Sequence, residues 1–186
     1  MDFNTFQQNF PPGSQLPALL IKLFEYQNQV PGWYSGRFQL CAERFGDADA
    51  FDGDTEAAAQ FAHFGRISDG STYAFWLYPG QTLETAPIVF VGSEGTEWTV
   101  LAETMEDFLS LLALGETELG YSAANDYFTG PAYNLEELEH FRNWLKTAFG
   151  IVPAAHPIEL VHRAKSRHPD LQAWLTHWQE HHFGQH

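Results

Sequence analysis

Among its 186 residues the chain has one cysteine, two methionines and only nine lysines and arginines, and no apolar run long enough to cross a bilayer. Each shortage narrows the possibilities. A single thiol, Cys41, excludes a disulfide within the chain. There is no Asn-x-Ser/Thr sequon, and Met1-Asp2-Phe3-Asn4 has neither a basic stretch nor an apolar one behind it, so a cytoplasmic address is expected. The absence of long apolar runs argues against a membrane-spanning role. No Gly-x-Ser-x-Gly elbow, Gly-Lys-Ser/Thr phosphate loop or dinucleotide-binding glycine pattern occurs, which removes the best-marked hydrolase and nucleotide enzymes.

What the chain does have is aromatic mass and acid. Hydrophobic residues make up 44%, with 16 Phe and 6 Trp, enough to bury a core despite a formal net charge of -15. The acid is concentrated. Residues 41 to 126 carry 16 Asp and Glu against Arg44 and Arg66 alone, a net of -14, whereas the segments on either side are nearly balanced. Such a field repels phosphate backbones, so no nucleic-acid partner is expected. It suits a cationic protein, and it also serves plain solubility.

Along the chain, residues 1–13 are polar and proline-marked, which reads as a flexible N-terminal arm. Ser14 is placed to cap a helix carrying Leu16, Leu19, Leu20, Leu23 and Phe24 at helical spacing, ended by Pro31-Gly32. A short strand spans 36–42. Between 61 and 102, apolar runs alternate with Asp69-Gly70 and Glu94-Gly95, turns in which glycine accepts the positive φ of a tight hairpin. Thr104 and Asp107 open a helix with Met105, Phe108, Leu109 and Leu112 on its buried stripe, and Gly115 stops it. Residues 119–130 read as a loop. From 131 the apolar period is helical throughout, with Asn134 as a cap, Leu138, Phe141, Leu145 and Ala148 in one helix, Ile158, Val161 and Ala164 in the next, and Leu171, Trp174, Leu175 and Trp178 in the last. The expected fold is α+β: an antiparallel twisted sheet packed by helices over 14–130, with a C-terminal helical extension over 131–186 on the same core.

The order of these blocks resembles the SUKH superfamily of bacterial toxin-immunity proteins and yeast cell-wall regulators. FGRISDGSTYAFWLY stands for the first hairpin, APIVFVGSEGTEWTVLA for the second and TMEDFLSLLALG for the Phe-Leu helix; an amphipathic helix followed by Pro31-Gly32-Trp33-Tyr34 also fits. The likeness covers roughly residues 14 to 115. It implies a non-enzymatic binding protein, most often one that neutralises a cognate toxin, frequently a nuclease, and otherwise an adaptor or regulatory domain for a cellular protein.

Two stretches invite a metal reading. Asp47, Asp49, Asp52 and Asp54 alternate in a loop, but no register places the Gly and Glu that an EF-hand requires, so a solvated acidic loop is expected. Seven of the nine histidines follow residue 150, and His177 and His181 are four apart; the Glu of a zinc-hydrolase motif does not follow His177. A metal-dependent enzyme built on this tail is the competing function, while the plain expectation is no metal and no cofactor. Cys41 reads as a small buried thiol. Asp47, Asp49, Asp52, Asp54, Glu94 and Glu97 are the expected partner-binding residues, facing a cognate toxin or another cationic protein.

Overall fold

A computed structural model describes residues 1–30, 32–94 and 97–184. Its centre is a five-stranded antiparallel meander, β1 (Gln39–Leu40), β2 (Phe61–Arg66), β3 (Thr72–Trp76), β4 (Ile88–Val91) and β5 (Trp98–Ala102), in the order β1-β2-β3-β4-β5. The α+β expectation holds. The β2–β3 turn is the hairpin foreseen: Gly70 has φ +94°, and Asp69 Oδ1 accepts from Ser71 N at 2.8 Å. A Cβ at Gly70 would meet nothing closer than the Ser93 side chain at 3.7 Å. Gly70→Val is therefore expected to cost about 2 kcal/mol in urea unfolding, from backbone strain alone. Gly95, given the same role in the second hairpin, lies outside the described residues, as does Pro31.

Strand alternation sends side chains to two cores. Ala62, Phe64, Tyr73, Phe75, Ile88 and Phe90 face one; Phe61, Ala74, Trp76, Val89 and Val100 face the other. The first is covered by α2 (Ala18–Gln27), α4 (Met105–Leu112), α5 (Leu119–Ala124) and α6 (Leu135–Phe149) through residues such as Leu20, Leu23, Phe108 and Phe141. The second is covered by a 3-10 turn (Asp49–Phe51), α3 (Thr55–Ala58) and α8 (Leu171–Phe183). The tail is thus split between cores rather than stacked on one. Helix α7 (Pro157–Arg167) straddles the boundary, with Val161 in the first core and Ala164 in the second.

The N-terminal segment is not a loose arm. Asp2 caps α1 (Phe3–Gln7) by accepting from Thr5 N at 3.0 Å, and Phe6 and Phe10 are buried in the first core. Phe3, Phe6 and Phe10 recur at i, i+3 and i+7, a period obscured by the polar residues between them. The fully buried Asn9 donates to Cys41 O at 2.7 Å and accepts from Glu43 N at 2.6 Å. Gln27 does the same to Leu40, accepting from its N at 2.6 Å and donating to its O at 3.3 Å. Two carboxamides therefore stand in for a neighbouring strand along the β1 edge, satisfying groups that would otherwise template aggregation.

Other local expectations are corrected. Ser14 does not cap α2, whose N-cap is Pro17; its N–H closes a turn onto Pro11 O at 3.0 Å. The stretch 119–130 contains α5, whose Leu119 and Ala123 are buried. Asn134 occupies the α6 N-cap, but in the left-handed region at φ 56°, and its amide donates to Trp33 O at 3.3 Å instead of capping. Ala148 is exposed. Thr104 caps α4 as expected, accepting from Asp107 N at 3.1 Å.

Candidate binding cleft

The cover on the second sheet face is incomplete. Phe51, Trp174 and the α8 stripe close the end near Phe61 and Trp76, with Trp174 5.2 Å from Phe61 and 6.2 Å from Trp76 between ring centroids. Toward the β2–β3 turn the face opens into a cleft of about 640 Å³. Its floor is Phe61, His63, Thr72, Val91 and Trp98, one or two from each of four strands; one wall is the 42–49 segment and the other the Gly92-Ser93 turn. The rings run in series, His63 to Phe61 at 6.3 Å and Phe61 to Trp98 at 5.5 Å.

Acid rims this aromatic floor. Glu43, Asp47 and Asp49 line the cleft, Asp47 and Asp49 exposed and the Glu43 side chain 41% exposed. Arg44 is on the same wall. Among the described residues no Lys or Arg nitrogen lies within 4.0 Å of these three carboxylates; the nearest basic group is His63, whose Nδ1 is 3.9 Å from Glu43 Oε2. Partial burial pushes the Glu43 carboxyl up, against the pull of Arg66. Two of the tail's bases are engaged elsewhere: Arg163 and Arg167 bind Glu103 at 3.3 and 2.9 Å, and Arg163 also binds Asp107 at 3.2 Å.

The loops that frame the cleft are held in place. Ser71 Oγ accepts from Ser93 N at 3.1 Å and lies 3.0 Å from Tyr121 OH, which donates to Asp69 Oδ2 at 2.9 Å. This ties both hairpin turns to α5. Partial burial works upward on Asp69, but the hydrogen bonds from Ser71 and Tyr121 prevail and hold its carboxyl below the usual range.

The six residues picked from sequence separate into three groups. Asp47 and Asp49 are at the cleft. Asp52 and Asp54 are not; they turn to α8. Asp54 caps α3, accepting from Glu56 N and Ala57 N at 3.0 Å each, and receives Trp178 Nε1 at 2.8 Å, interactions that hold its carboxyl below the usual range. Asp52 lies 3.4 Å from His182 Nε2. The 47–54 segment is therefore a surface loop with exposed Asp47, Asp49 and Asp52, as expected, but one pinned to the second core by Phe51, which is 2% exposed. Glu94 is exposed beside Ser93 at the cleft wall, and Glu97 lines a separate groove next to Lys165 and His168, on the far side of Trp98. Sequence reasoning missed Glu43, His63 and Trp98. The alternation of Phe61 and His63 marked a second face, but nothing local shows that this face stays partly open.

Cys41 is buried, and loss of solvent together with the Glu43 charge pushes its thiol up to about 12. It is a poor nucleophile at neutral pH. His63 is pushed down to about 4 by burial, with Nδ1 2.8 Å from Thr72 Oγ1. A folded-state value below the unfolded one means that the unfolded chain binds a proton first as pH falls. The stability this residue allows is present above pH ~6.5 and lost toward pH ~4, amounting to about 3 kcal/mol. Unfolding of the wild type and of His63→Gln across this range should show that the variant lacks the matching part of the slope.

Comparison of the chain with known protein families, with curated proteins and with solved structures finds no match in any of the three. Among the described residues no cluster of three or more His, Cys, Asp or Glu is arranged to hold a metal, and no helix is long and apolar enough to cross a membrane.

Proposed function

We propose that this protein is a non-enzymatic binding protein that docks a cationic protein partner over the cleft on its second sheet face, and that its role is immunity: it neutralises a basic cognate toxin in the cytoplasm. The observation that carries the reading is the placement of three carboxylates, with no Lys or Arg nitrogen of the described residues within 4.0 Å of them, around a cleft lined by Trp98 and His63. Aromatic surface supplies residence time, while acid steers encounter, raising association rates toward about 10⁸–10⁹ per molar per second at low salt. The resemblance of the hairpin–hairpin–helix order to SUKH proteins supports the immunity role over a general adaptor. The suppressed thiol of Cys41 and the neutral imidazole of His63 favour binding over nucleophilic chemistry.

The test uses the full chain and a Glu43→Lys/Asp47→Lys/Asp49→Lys variant as parallel baits in extracts of the native host. A basic protein held by the wild type, released by salt and not held by the variant, whose expression alone arrests growth and whose co-expression with the wild type does not, is the expected result. Equal retention by both baits, or a partner with an acidic contact surface, would overturn the cleft as the docking site. A basic partner without toxicity would leave the adaptor role.

A further inference from the structure

The geometry points to an arginine side chain as the group this cleft takes, an inference that rests on the reading of the cleft as a cationic docking site and names its anchor. The argument begins with Trp98. Its Nε1 is buried without a hydrogen-bond partner among the described residues, while the ring lines the cleft. The indole thus offers the cleft carbon and π surface rather than an N–H donor, which favours a cation or an apolar group over an anion. Beneath the floor the fully buried Phe61 joins Trp98, edge-on at 5.5 Å, to His63 at 6.3 Å, and Glu43 lies 3.9 Å from the imidazole. The accessible aromatic surface is therefore the partly exposed Trp98 and His63 rings, and the imidazole adjoins a carboxylate that partial burial has already deprived of some of its water.

Arginine matches both parts of this arrangement. Its planar guanidinium stacks on aromatic rings, sheds water more easily than an ammonium, and presents paired N–H groups to a carboxylate. Lysine satisfies the charge but neither the plane nor the fork. His63 helps by staying neutral: its pKa is depressed, so it places no competing positive charge beside Glu43 at neutral pH. Among the described residues lining the cleft Arg44 is the one Lys or Arg, with Asp47 and Asp49 on the same wall, and Arg66, whose charge reaches Glu43, lies outside the lining.

The experiment titrates the full-length protein with three capped tripeptides, Ala-Arg-Ala, Ala-Lys-Ala and Ala-citrulline-Ala, the last having nearly the shape of arginine without its charge. Binding is read from the Trp98 indole N–H and His63 ring signals in nuclear magnetic resonance spectra, with Trp98 assigned by Trp98→Phe. The arginine peptide is expected to shift both signals, to bind at least about 5-fold tighter than the lysine peptide, and to weaken about 10-fold in Glu43→Gln. The citrulline peptide should leave both signals unmoved. Glu43→Gln is suited to the test because Asn9 holds the backbone of residue 43, not its side chain. Equal binding of arginine and lysine, binding of citrulline, or shifts confined to other parts of the molecule would each overturn the arginine assignment. None of these would by itself remove the cationic-partner reading, which stands or falls on the bait comparison.

Discussion

Gly36→Ala is expected to abolish most of the protein's stability, with a loss of at least about 4 kcal/mol from combined backbone strain and overpacking. Gly36 has φ +52°, and a Cβ there would sit 1.9 Å from Glu116 O and 2.8 Å from its carbonyl carbon. Those atoms are backbone, so no rotamer change relieves the clash. Nor can the two segments drift apart, because Arg37 N donates to Thr117 O at 3.2 Å and Ser35 Oγ donates to Leu112 O. The 116 side is equally constrained: the Glu116 carboxylate accepts from Ser122 Oγ at 2.9 Å, Thr129 Oγ1 at 3.3 Å and Gly130 N. Urea unfolding of Gly36→Ala beside Gly70→Val separates the two kinds of glycine. Equal losses would mean that positive φ alone matters and that the close approach at Glu116 does not.

Trp174→Ala should cost about 3–5 kcal/mol, while replacing His177 and His181 together with alanine should change stability by no more than about 0.5 kcal/mol. Trp174 packs edge-on to Phe51, Phe61 and Trp76 at 6.2, 5.2 and 6.2 Å, so truncation opens the cover of the whole second core. The two histidine rings lie 4.0 Å apart, tilted at 49°, on the exposed side of α8. Calorimetry of both variants, with and without a chelator, decides between a structural tail and a metal-binding one. A large drop for the histidine pair, or a melting temperature that falls with chelation, would revive the metal-enzyme alternative.

These two results would also separate what can be read locally from what cannot. The meander was legible because hairpin turns and strand alternation are set within a few residues: Asp69-Gly70 specifies its turn, and the aromatic run at 73–76 its strand. Helix α4 was legible from its Thr104 cap and apolar stripe, and Cys41 from its apolar neighbours. The acid concentrated between 41 and 126 was a matter of counting. None of these depends on where the distant parts of the chain go.

The roles of individual acids do depend on it. Asp49 and Asp54 are five residues apart in one acidic stretch, yet the first faces an open cleft and the second caps a helix and holds an indole 124 positions away. Nothing in the local pattern distinguishes them, because the distinction is made by α8 arriving on one side only. The N-terminal helix was hidden for a similar reason: Asn9 is polar in sequence but becomes an edge-strand surrogate once Cys41 and Glu43 lie opposite it. Composition and short-range period determined that this chain is an acidic α+β protein with paired hairpins and a helical tail. Only the tertiary structure decided that its sheet has two cores, that one face remains partly uncovered, and which carboxylates surround the opening, since long-range packing alone selects which polar groups are satisfied within the fold and which remain available to a partner.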